Sequence, residues 1–178
     1  LRVTVFPAVL LFFRLKGFRF MIIPDLTILR TWLDQMKLSC FECDSCQALH
    51  LPHMQNVDGV FDAKIDILDD MLVFSALAEV RPTAIVPLIA NLSQINASSL
   101  LVKTFMDIQD SAMPKLVVCY SLPLSAGLTF EQFSLSLQLM EEQVGAVIFE
   151  LFSNNMLIRM MRNRKMKKAS ALIPFLLR

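Results

Sequence analysis

The chain has four glycines in 178 residues, and none stands in a phosphate-cradling or G-x-G-x-x-G pattern, which excludes P-loop and dinucleotide chemistry. No nucleophile-base pair or paired-carboxylate motif is present, so no catalytic residue and no cofactor site is assigned. A membrane-spanning run is also missing. Val3 to Phe13 is an apolar stretch of eleven residues followed by Arg14, Lys16 and Arg19, against the about 20 residues a spanning helix needs. A secretory leader would carry its basic residues before the apolar run, whereas here they come after it. The four cysteines, Cys40, Cys43, Cys46 and Cys119, are therefore expected as reduced thiols in the cytoplasm. The sequons at Asn91 and Asn96 then carry no glycan.

Acidic side chains are absent from both ends. Residues 1–20 hold four basic side chains, residues 154–178 hold seven, and residues 21–153 hold six basic against sixteen acidic, a balance of −10 hidden inside an overall +1. An acidic body repels phosphate backbones, so the central domain is not expected to bind nucleic acid. The first twenty residues read as upstream sequence before a start at Met21 or, alternatively, as a peripheral membrane anchor. The segment from Asn154 reads as a basic tail foreign to the domain or, alternatively, as an arm for a membrane surface or nucleic acid. One domain over 21–153 is expected, of a size that buries roughly two-thirds of its unfolded surface.

Within it, Pro24-Asp25 opens a helix whose Leu26, Leu29, Leu33 and Met36 share a face with Trp32 beside it. Leu38 to Glu42 and Gln47 to Leu51 read as short strands on either side of a Cys43–Cys46 turn, and Pro52 ends the second. From Val60 to Ile67, Phe61, Ala63, Ile65 and Ile67 alternate with Asp62, Lys64 and Asp66, which predicts a strand with one buried face. Asp69-Asp70 turns the chain into Met71 to Glu79, whose weaker alternation predicts a central strand covered on both faces. A helix follows Arg81-Pro82-Thr83, with Pro87 predicting a kink or a late start. Thr129-Phe-Glu-Gln132 is a capping box. Phe133, Leu137, Met140, Val144, Val147 and Leu151 then form one apolar seam, which covers the sheet or, alternatively, meets a second copy. Gly145 in mid-helix suggests a closely approaching neighbour.

Cys43, Cys46, His50 and His53 are the candidate metal ligands, since C-x2-C and His-x2-His suit tetrahedral zinc. Their spacing argues against it. In a strand His50 and His53 point to opposite faces, Pro52 intervenes, and the gap from Cys46 to His50 is short for a four-ligand cage. No metal is assigned. A thioredoxin-like thiol needs a helix N-terminus to lower its pKa, and a hairpin supplies none. Cys119 reads as a buried small hydrophobe. The carboxylates Asp58, Asp62, Asp66, Asp69 and Asp70 lack the calcium-loop spacing and read as the wet side of a hairpin.

Cys43-Asp-Ser-Cys-Gln-Ala-Leu-His-Leu-Pro-His-Met-Gln-Asn56, with Gly59-Val-Phe-Asp-Ala-Lys-Ile-Asp66, Ala78-Glu-Val-Arg-Pro82, Ile95-Asn-Ala-Ser-Ser99 and Pro114-Lys-Leu-Val-Val-Cys119, resembles the YbjN family of small bacterial regulators over about residues 21–150. The resemblance implies an α+β fold similar to type III secretion chaperones: a two-layer sandwich of an antiparallel sheet with three helices. It tips the ambiguous Leu100 to Ile108 toward a strand pairing through Asp110 to Pro114 with Lys115 to Ser121. It further implies a non-enzymatic cytoplasmic regulator of motility, exopolysaccharide and virulence, and stress responses, acting on a protein partner or as a homodimer. The alternative is a metal- or thiol-based sensor centred on the Cys43–His53 hairpin.

Overall fold

A computed structural model describes residues 21–43, 45–108 and 113–158. Both expected foreign ends lie outside the described residues except for 154–158, and so does most of the turn expected at Asp110 to Pro114. The first helix, α1 (Leu26–Gln35), starts where the Asp25 carboxylate accepts from the Ile28 N–H at 2.8 Å, satisfying an otherwise orphaned donor. It stops at Lys37, which adopts a left-handed φ of 60° while Leu38 N–H reaches back to the Leu33 carbonyl at 2.9 Å. That C-terminal cap uses up Leu38. The strands expected at 38–42 and 47–51 consequently shrink to two residues each, β1 (Phe41–Glu42) and β2 (Leu49–His50). A 3-10 turn, Pro52–Asn56, follows.

β3 (Val60–Leu68) and β4 (Met71–Glu79) form a hairpin closed by Asp69 and Asp70, both left-handed at φ 46° and 59°, the twist a two-residue hairpin turn requires. A bulge between Val60 and Asp62 shifts the register, so Val60 takes the inward place expected for Phe61, which is exposed. Ala63 and Ile65 point inward as the alternation predicts. The expectation that both faces of β4 are covered is overturned. Leu72, Phe74, Ala76 and Ala78 are buried, while Met71, Val73, Ser75 and Leu77 are only half-buried. The sequence looks non-alternating because Val73 and Leu77 are apolar residues on the open face, partly shielded by their cross-strand neighbours Asp66 and Asp62.

After the short turn Pro82–Ala84, α2 (Ile85–Ser98) begins late, one of the two outcomes that Pro87 predicts. Pro87 is its third residue, inside the first turn, where a backbone N–H has no intrahelical partner to lose. Asn96 fastens this helix to β5 (Lys103–Asp107) by bonding both the N–H and the C=O of Thr104, at 2.7 and 2.9 Å. β6 (Lys115–Pro123) completes an antiparallel sheet of order β1-β2-β3-β4-β6-β5. The fold is thus α+β, six antiparallel strands with three helices.

α3 (Phe130–Ser153) opens with the complete capping box, Gln132 N–H to Thr129 Oγ1 at 3.2 Å and Thr129 N–H to Gln132 Oε1 at 2.9 Å. All six residues of its predicted seam are buried, joined by Ile148. Phe133 meets Phe74 of β4 with ring centroids 6.0 Å apart and Trp32 of α1 at 5.3 Å, so one aromatic cluster joins two helices to the sheet. Gly145 has no neighbouring atom within 4 Å of where a Cβ would stand, so nothing in the described chain approaches it closely. Packing does not end at residue 153. Leu157 is buried and bridges Val80, with Arg81 N–H to the Met156 carbonyl at 3.0 Å.

Candidate functional site

The hairpin of β1 and β2 gathers the chemistry. Leu49 is fully buried and pairs with Ile65, so strand alternation sends the next side chain, His50, to the open face of the sheet. The turn before it is tight: Gln47 is left-handed at φ 50°, and its N–H returns to the Cys43 carbonyl at 3.2 Å. Cys43 and Cys46 are thereby folded over the imidazole. His50 Nε2 lies 3.3 Å from Cys43 Sγ and 3.1 Å from Cys46 Sγ. These three ligand atoms all fall within 4.8 Å of one another.

The ring is held from two further sides. Phe41, its register partner on β1, stacks on it at 4.9 Å with planes 11° apart. Asp62 Oδ1 lies 3.0 Å from His50 Nδ1, with the two side chains only 20% and 12% exposed. A carboxylate only accepts, so Nδ1 carries the proton and Nε2 is the ring nitrogen that faces the sulfurs. Burial pulls the His50 pKa down, but the hydrogen bonds to Asp62 and Cys43 outweigh it and raise the net value.

Cys43 is the activated thiol. A hydrogen bond from Cys46, then one from the Ser45 hydroxyl at 3.4 Å, lower its pKa to about 6, and His50 adds to the effect. The same contact raises Cys46, which becomes the donor of the pair. The hairpin has no helix N-terminus; converging side-chain donors lower the Cys43 thiol instead. Cys40 and Cys119 are both pushed up by burial.

His53 does not join this group. It sits in the 3-10 turn, where Nε2 lies 2.7 Å from Glu141 Oε1 on α3, a tie between the turn and the helix. Of the four candidate ligands the structure therefore brings together three. Asp62 was missed because it stands twelve residues from His50 in the chain. The signal available for it was the wet-face alternation of Asp62, Lys64 and Asp66, once Lys64 is known to pair with His50.

A second feature is the outer side of α3. Leu135, Leu139, Glu142, Ala146 and Phe149 recur at spacings of four and three, opposite the buried seam, with Leu135 57% and Phe149 70% exposed. The helix contains four carboxylates and neither Lys nor Arg. Between α2 and α3 lies an open groove of about 280 Å³ in which Glu150 is the one titratable group among the described residues. No described helix is long and apolar enough to cross a membrane.

A one-piece antiparallel sheet with three helices, carrying a thiol-histidine hairpin at its edge, is the architecture these observations define. Residues 25–153 match the family model of YbjN, "Putative bacterial sensory transduction regulator", and the chain belongs to that family. It is 57% identical over 138 residues to YbjN of Escherichia coli strain K12, itself uncharacterized, covering 78% of this chain and 87% of that protein. The Shigella flexneri protein matches equally. The crystal structure of E. coli YbjN superposes with a TM-score of 0.77 at 56% identity, covering 79% of this chain and 100% of the other.

Proposed function

We propose that this chain is a non-enzymatic cytoplasmic regulator that works by docking on another protein, in the control of motility, exopolysaccharide and virulence, and stress responses. The docking reading is supported by the outer stripe of α3. Monomeric proteins seldom leave several large apolar side chains aligned in water without a use for them. Here Leu135, Leu139 and Phe149 line one side of a helix whose charges are all negative. A complementary partner segment is amphipathic and basic, laying an apolar face against the stripe and cations against Glu142 and Glu150. The motility, exopolysaccharide and stress assignments are carried over from the family resemblance alone.

The test is complementation by the full chain in a host lacking its own copy. Leu139→Glu with Phe149→Glu should remove the motility or exopolysaccharide phenotype while abundance and thermal unfolding stay unchanged, since both side chains are solvent-facing. Full activity of the double variant would refute the docking reading. A dimer that dissociates in the double variant would reassign the stripe to a second copy of the chain.

A further inference from the structure

We propose that Cys43, Cys46 and His50 form a three-ligand site for a thiophilic divalent cation, zinc by ligand chemistry, with Asp62 orienting the imidazole from behind. This goes beyond the docking reading and does not rest on it.

The first argument is convergence. Two sulfurs lie 3.1 and 3.3 Å from His50 Nε2, and the three ligand atoms all fall within 4.8 Å of one another. Three soft and borderline donors gathered this closely suit a metal ion. The second argument is distance. Zinc bonds of about 2.3 Å to sulfur and about 2.0 Å to nitrogen at a tetrahedral angle put sulfur and nitrogen about 3.5 Å apart. An ion could therefore enter if the ligands spread by roughly 0.2–0.4 Å. The third is the Asp62 contact at Nδ1. A carboxylate on the distal nitrogen is the recurring support of metal-bound histidine, fixing the tautomer and raising the basicity of the ligating nitrogen.

Three protein ligands leave the fourth tetrahedral position open to water or to an outside donor, since His53 is engaged by Glu141. The spacing argument against a four-ligand cage therefore does not bear on this site. Its position suggests what it does. β1 and β2 are two residues long, too short to hold an edge hairpin firmly by backbone pairing. An ion would tie Cys43 and Cys46 of the turn to His50 of β2 and, through Asp62, to β3, so that binding free energy orders the sheet edge. Both sulfurs ligate as thiolates, so whatever thiol proton is still held passes to solvent as the ion enters.

The test is an anaerobic titration of the reduced, chelator-stripped full chain with cobalt(II), followed by displacement with zinc. One equivalent of cobalt should produce the d-d bands of a four-coordinate centre and a thiolate charge-transfer band, and zinc should abolish both. Asp62→Asn, which keeps the side-chain shape, should weaken affinity by about 10–100-fold. Cys43→Ser and Cys46→Ser should each remove the charge-transfer band or reduce it by half, and His53→Ala should change nothing. The wild-type spectrum and the Asp62→Asn arm decide the matter even if a cysteine variant fails to fold. A six-coordinate cobalt spectrum, binding that survives the double cysteine variant, or binding that requires His53 would each overturn the proposal, leaving the α3 docking reading untouched.

Discussion

Two glycines in one chain should respond to the same substitution with opposite signs. Gly59 enters β3 at φ +99°, and a Cβ there would stand 2.9 Å from Ile148 Cγ2 and 3.3 Å from Leu157 Cδ1. Ile148 is fully buried and β-branched and Leu157 is 1% exposed, so neither can swing aside. Gly59→Ala incurs the left-handed penalty of about 1–2 kcal/mol together with overpacking of about 1–3 kcal/mol. The expected loss of about 2–5 kcal/mol is a large part of a typical stability of about 5–15 kcal/mol. Gly145 sits in mid-α3 with open space around it, so Gly145→Ala should gain about 0.5–1 kcal/mol by removing backbone freedom from the unfolded chain. Urea unfolding of the full chain measures both, the midpoints moving in opposite directions at unchanged slope. By melting temperature, Gly59→Ala should lie about 6–20 °C below the parent, at about 3–4 °C per kcal/mol. A Gly59→Ala protein within about 1 kcal/mol of the parent would refute the contact argument. A destabilised Gly145→Ala would show that another surface does close over that position.

Thr129→Ala removes half of the capping box and should cost about 1 kcal/mol, read by the same unfolding assay, whereas Thr129→Ser should restore most of it. Because His50 is raised above its unfolded value near 6.5 by Asp62 and Cys43, its pairing stabilises the metal-free protein fully below that pH. The contribution is lost as pH rises through the folded pKa. Asp62→Asn should flatten this slope above about pH 6.5, and an unaltered slope would place the effect elsewhere. In reduced, metal-free protein, alkylation of Cys43 should rise through a midpoint of about pH 6 while Cys46 lags. Peptide mapping of the alkylated chain distinguishes the two, and equal rates at pH 7 would contradict the hydrogen-bond arrangement.

What could be read from the chain was whatever depends on neighbours in sequence. The capping box at Thr129 and Gln132 and the seam from Phe133 to Leu151 obey local periodicity, and both stand as expected. The phase of β3 failed at Phe61 because a bulge is set by pairing with β4, which no spacing within β3 records. The late start of α2 was legible in Pro87, but its end at Ser98 depends on Asn96 binding Thr104 of β5. The site divides in the same way. Cys43, Cys46 and His50 were visible as a cluster in sequence, and the short turn was read correctly as a turn. Which way His50 points follows from Leu49 being buried against β3, and Asp62 joins it only through the register of β2 on β3. Those are properties of the sheet, not of the motif.

The long helix is fastened at both of its ends. Just before it, Leu128 exchanges backbone hydrogen bonds with Ile22 at 2.7 and 3.0 Å, and just after it, the segment around Leu157 is bonded to Glu79 and Arg81. Twenty-four helical residues span about 36 Å, so the outer stripe is a rail tied at either extremity to a neighbouring segment of the chain. Such a surface has little conformational freedom left to lose on association. A partner that arrives unfolded then bears nearly the whole ordering cost itself, and a partner already helical spares most of it. Discrimination among segments of equal composition would follow from how rigid each is before it arrives, a property of the visitor rather than of this protein.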